Sequence, residues 1–83
     1  MMSELLGKKE ILSQSGFKYN IRREMYFNRN TKKVFSLEAI EDNTLSWLED
    51  KINTEKFGGS WSFYFNRSPS QNIKDEIIEE IDK

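Results

Sequence analysis

Apolar residues recur along this chain with two periods, one near four and one of two, and each change of period marks a change of element. From Ser3 to Gln14, Leu5, Leu6, Ile11 and Leu12 make a partial helical stripe. Ser3 stands where an N-cap belongs, and Gly16 suits a left-handed C-terminal cap. The period then falls to two. In FKYNIRREMYFN, Phe17, Tyr19, Ile21, Met25 and Phe27 share one parity, and Lys18, Asn20, Arg22, Glu24 and Asn28 take the other. This predicts a strand with one dry face and one wet face. Arg23 and Tyr26 break the alternation, and a bulge near Arg23 and Glu24 accounts for both. NRNTK is rich in turn formers and KVFS reads as a short return strand, so the two form a hairpin with a loop of about five residues.

Helical spacing returns at Ser36, which caps SLEAIEDN with Glu38 in the first turn. DNT supplies a break and a second cap. Leu45, Leu48 and Ile52 then continue a stripe with Trp47 beside it. The pattern predicts a two-part helix from Leu37 to about Lys56, ended by FGGS. In SWSFYFN, Trp61, Phe63 and Phe65 alternate with Ser62, Tyr64 and Asn66, as in a strand. In SPSQNIKDEIIEEIDK, Ser68 and Gln71 form a capping box with Pro69 at the first helical position. Ile73, Ile77 and Ile81 follow at spacing four, widened by Ile78. The predicted order is α-β-β-α-β-α. It describes one small α+β domain over residues 1–83, fraying at 1–4 and 82–83. A three-stranded antiparallel sheet is packed on one face by helices and partly open on the other.

Composition narrows the chemistry. The 83 residues include no histidine and no cysteine, which removes the commonest general base, thiol nucleophiles and the usual transition-metal ligands. The acidic residues fall on helix surfaces without a metal-binding spacing, and Gly58 and Gly59 run from helix into strand, the reverse of a phosphate loop. The expectation is therefore a non-enzymatic protein without cofactor or metal. No apolar run is long enough for a membrane span, and the charged start lacks a signal-type stretch, so a cytoplasmic location without a membrane partner is expected.

Charge is unevenly spread. Residues 1–35 carry eight Lys or Arg against three acids; residues 36–83 carry five against eleven. The basic hairpin 17–35 also holds the first of two YFNR tetrapeptides, Tyr26–Arg29; the second is Tyr64–Arg67. In both, tyrosine takes the outward parity and phenylalanine the inward. Arginine and tyrosine are residue types that dominate protein interfaces. Arg22, Tyr26, Arg29, Lys32, Lys33, Tyr64 and Arg67 are thus candidate partner-binding residues on an aromatic and arginine-bearing sheet face, for a protein partner or for self-association. The alternative is a nucleic-acid-binding module in which the hairpin's cations meet phosphates and its tyrosines stack on bases.

Overall fold

Two short hairpins built to one plan begin the sheet. The computed structural model describes residues 2–55 and 59–82, with side chains from residue 5 onward. Strands β1 (Lys18–Asn20), β2 (Met25–Asn28) and β3 (Lys33–Ser36) pair antiparallel in succession. Asn20 opposes Met25, and Asn28 opposes Lys33, so each loop holds four residues, IRRE and RNTK. In each, the preceding asparagine side chain organises the turn. Asn20 Oδ1 accepts the Arg23 N–H at 3.1 Å, and Asn28 Oδ1 accepts those of Asn30 at 2.8 Å and Thr31 at 3.2 Å. Each loop closes on a left-handed residue, Glu24 at φ +50° and Lys32 at φ +56°. The single bulged strand expected over residues 17–28 is therefore a hairpin. Its turn removes the parity conflict at Arg23 and Tyr26.

Helix α1 (Met2–Gln14) precedes the sheet, with Ser3 inside it rather than capping it. Its C-terminus closes as expected on Gly16 at φ +88°, with Phe17 N–H bonded to Leu12 O at 2.9 Å and Gly16 N–H to Ser13 O at 3.1 Å. Phe17 and Leu12 share a core, the apolar contact that accompanies this cap. After β3, Ser36 Oγ accepts the Ala39 N–H and starts α2 (Leu37–Asp42). Thr44 Oγ1 accepts the Trp47 N–H and starts α3 (Leu45–Asn53). The two-part helix is thus present. Its expected end at Lys56 and the expected cap at Phe57 and Gly58 lie outside the described residues. Strand β4 (Ser62–Tyr64) follows, then α4 (Gln71–Ile81). The N-cap of α4 is Ser70, whose Oγ accepts the Ile73 N–H, so the expected capping box from Ser68 gives way to a start two residues later.

The α+β class holds, but the sheet has four strands in the order β1-β2-β3-β4 and is mixed. Strands β3 and β4 are parallel, with Val34 opposite Phe63 and Phe35 opposite Tyr64. Helices α2 and α3 carry the chain back to the end of the sheet where β3 began, which is the condition for parallel pairing. Both faces of the sheet are covered. On one, Tyr26 and Phe35 join Leu12, Phe17, Ile40 and Leu48. On the other, Met25 and Val34 meet Ile77 and Ile81 of α4. The open face expected from the sequence is absent, because adjacent residues Val34 and Phe35 are both fully buried and point opposite ways.

Two buried lysines hold the helical layer together. Lys33 is 2% exposed, and its ammonium donates to the carbonyls of Lys51 (2.8 Å), Ile52 (2.8 Å) and Thr54 (2.7 Å) at the end of α3. Lys8 is 4% exposed and donates to Ile40 O at 2.8 Å and to Asn43 O at the end of α2. Each cation meets carbonyls that a helix C-terminus leaves unbonded, at its negative dipole end. Lys33→Met is expected to leave three partly buried carbonyls at the end of α3 without their donor and cost about 3 kcal/mol. Lys18→Met, on exposed β1, should change stability by less than about 0.5 kcal/mol. Urea unfolding midpoints of the two variants check this.

Candidate functional site

The carboxyl ends of β3 and β4 lie side by side, and the chain leaves them in opposite directions. From β3 it passes into α2 and α3, whose Ile40 and Leu48 cover one face; from β4 it passes to α4, whose Ile77 and Ile81 cover the other. A crevice opens where such connections diverge, a common place for ligands in sheets with parallel strands. Here it is an open groove of about 600 Å³. Arg22, Arg23 and Glu24 come from the β1–β2 loop, Ser36 and Glu38 from the start of α2, and Phe65, Asn66 and Arg67 from the chain after β4.

The walls are fixed by local bonds. Glu24 O accepts the Leu37 N–H at 2.9 Å, tying the left-handed end of the first hairpin to the start of α2. Asn66 Nδ2 donates to Asp42 Oδ2 at 2.6 Å and fastens the second YFNR segment to the end of α2. Arg23 is held from behind, its Nε donating to Glu80 Oε2 of α4. Asn20 Nδ2 donates to the other carboxylate oxygen at 3.3 Å. Arg22 is 83% exposed and only 3.9 Å from Glu80, a loose surface pair. Arg67 is exposed and has no ion-pair partner among the described residues. The groove thus offers two exposed guanidinium groups and one held firmly.

The sequence candidates separate into four environments. Arg22 and Arg67 meet in the groove. Arg29 and Lys32 belong to the β2–β3 loop at the other end of the sheet, where the Lys32 ammonium donates to Gly59 O at 2.9 Å. Lys33 is the buried helix cap already described. Tyr26 and Tyr64 occupy one row across the sheet, with Tyr26 opposite Phe35 and Phe35 opposite Tyr64. That row lies beneath the helices. Tyr26 is 9% exposed, with its ring 4.8 Å from that of Tyr19, and Tyr64 stacks on Phe35 at 4.7 Å and 16°. Burial, with a smaller contribution from Tyr19, raises the Tyr26 phenol above its ordinary pKa. The two tyrosines therefore share a face, but a covered one, and the arginines of the two YFNR segments end at opposite ends of the sheet.

Sequence reasoning passed over Arg23, Asn66 and Phe65 as groove residues. The signal for Arg23 was the repeat of asparagine, four residues and return strand at Asn20 and Asn28, which marks IRRE as a loop. Among the described residues no three acidic side chains gather where a metal ion could be held, and no helix is long and apolar enough to cross a membrane. No known protein family, curated protein or solved structure matches this chain.

The Glu80 carboxyl is held below its ordinary pKa, first by the hydrogen bond from Arg23, then by that from Asn20. A depressed carboxyl pKa stabilises the fold above the unfolded value of about 4.3 and loses that contribution as pH falls through the folded value. Glu80→Gln should therefore be less stable than the parent at pH 7. The difference should vanish progressively below about pH 4. Denaturant unfolding of both proteins across that range measures it.

Proposed function

We propose that this chain is a non-catalytic binding domain that holds an acidic segment of a partner protein in the groove at the carboxyl ends of β3 and β4. The observation that carries this reading is the convergence of Arg22 and Arg67 on one open groove that Phe65 and Asn66 also line. Guanidinium groups take carboxylates in paired hydrogen bonds, and exposed arginine beside an aromatic ring is the chemistry of interface hot spots. Glu24 and Glu38 on the same walls oppose a uniformly anionic ligand and favour a peptide with spaced carboxylates.

The nucleic-acid reading asks Lys18, Arg22, Arg29, Lys32 and Lys33 to act as one footprint. Lys33 is committed to α3, and the others are divided between the two ends of the sheet. A continuous basic stripe, the usual electrostatic mark of a nucleic-acid binder, does not form from them.

Fluorescence polarisation at low salt with a labelled peptide of glutamates spaced around one leucine tests the proposal. Saturable binding is expected, weakened about tenfold or more by the Arg22→Ala/Arg67→Ala double variant. Binding that the double variant leaves unchanged, or tighter binding to a single-stranded oligonucleotide than to the peptide, would overturn it.

A further inference from the structure

Strand β4 is an edge: β3 lies on one flank, and among the described residues no strand lies on the other. Protein edges are normally blunted by charged residues, proline, bulges or a covering element. β1, at the opposite edge, carries Lys18 and runs into Arg22 and Arg23. β4 has neither a charge nor a proline, since Ser60–Asn66 reads SWSFYFN. The Ser62 N–H donates to Lys32 O at 2.9 Å, so the Ser62 backbone faces β3. In a parallel pair the neighbouring residues turn their backbone groups the other way. The N–H and C=O of Phe63 therefore point to the empty flank, and among the described residues nothing bonds them.

The side chains along this edge are apolar and incompletely covered. Helix α4 buries Ile77 and Ile81 on this face, but Trp61, Phe63 and Phe65 remain partly exposed. The Phe63 and Phe65 rings pack edge to face at 5.8 Å, and the Lys74 ammonium lies 5.8 Å from the Phe63 ring. Ile73 of α4 is 41% exposed.

We propose that a second copy of the chain pairs here, β4 against β4, antiparallel about a two-fold axis through Phe63. The strand is complementary to itself in that register. The two Phe63 residues exchange both backbone hydrogen bonds, as opposed residues of an antiparallel pair do. Small Ser62 falls opposite large Tyr64 on one face, and Trp61 falls opposite Phe65 on the other. In a two-fold contact the strand meets its own copy, so an uncharged strand brings no like charges together. The product is one continuous eight-stranded sheet. This contact shares Phe65 with the wall of the arginine groove but uses neither Arg22 nor Arg67.

Sedimentation velocity from about 5 µM to about 500 µM is the first test, and a reversible monomer–dimer equilibrium is expected. Trp61→Lys should remain a monomer throughout that range, because the register would place its new charge against Phe65 of the other copy. Hydrogen exchange of the Phe63 amide in the unmodified chain is the second test, and it stands even if Trp61→Lys fails to fold. Exchange should slow about tenfold or more across the same concentrations. A monomer at every concentration would overturn the proposal, as would a folded Trp61→Lys that still dimerises. So would a dimer in which Phe63 exchange is unchanged.

Discussion

Strand β3 is buried on both faces, and the ammonium of Lys33 at its start is the interaction on which the helical layer depends. An isolated buried charge is costly, but here it meets three carbonyls at the negative end of a helix. The bond pins α3 to the sheet, and α3 must be in place for β4 to return parallel to β3. Lys8 repeats the arrangement one element away, joining α1 to the end of α2. Phe35 then fills the space beneath, with Phe17, Trp47 and Tyr64 around its ring.

This arrangement changes the meaning of the basic amino-terminal half. Two of its lysines are internal caps, and Arg23 is tied to Glu80. Part of the charge asymmetry between the halves is thus spent inside the fold, where basic groups of the first half meet carbonyls and a carboxylate of the second. Among the candidate arginines, Arg22 and Arg67 lie at one end of the sheet and Arg29 at the other. Both ends carry an open groove, about 600 Å³ beside the carboxyl ends of β3 and β4 and about 520 Å³ at the β2–β3 loop, and of these two the first is the one lined by a pair of candidate arginines, Arg22 and Arg67.

Most helices were legible in the sequence because their caps are local. Ser36, Thr44 and Gly16 act as their positions suggest, and the stripe at Ile73, Ile77 and Ile81 is a helix with its last two members buried. The sheet was less legible because its pairing depends on distant elements. Alternation across Phe17–Asn28 looks like one strand until the Asn20 side chain is seen closing a turn. Coverage of both faces was written in Val34 and Phe35, two consecutive apolar residues that no strand with one wet face would carry. The burial of Lys33 left no such trace, since its carbonyl partners lie about twenty residues away in the sequence. Arg22 and Arg67 were selected for their chemistry, and only the topology shows that they share a groove.

Selective acylation of lysine amines in the native protein, followed by mass spectrometry, tests the central claim most directly. Lys8 and Lys33 should stay unmodified while exposed Lys9 and Lys18 react, and all four should react in denaturant. Modification of Lys33 in the native protein at the rate of Lys18 would contradict the account. It would return that lysine to the surface and reopen the sheet face above it.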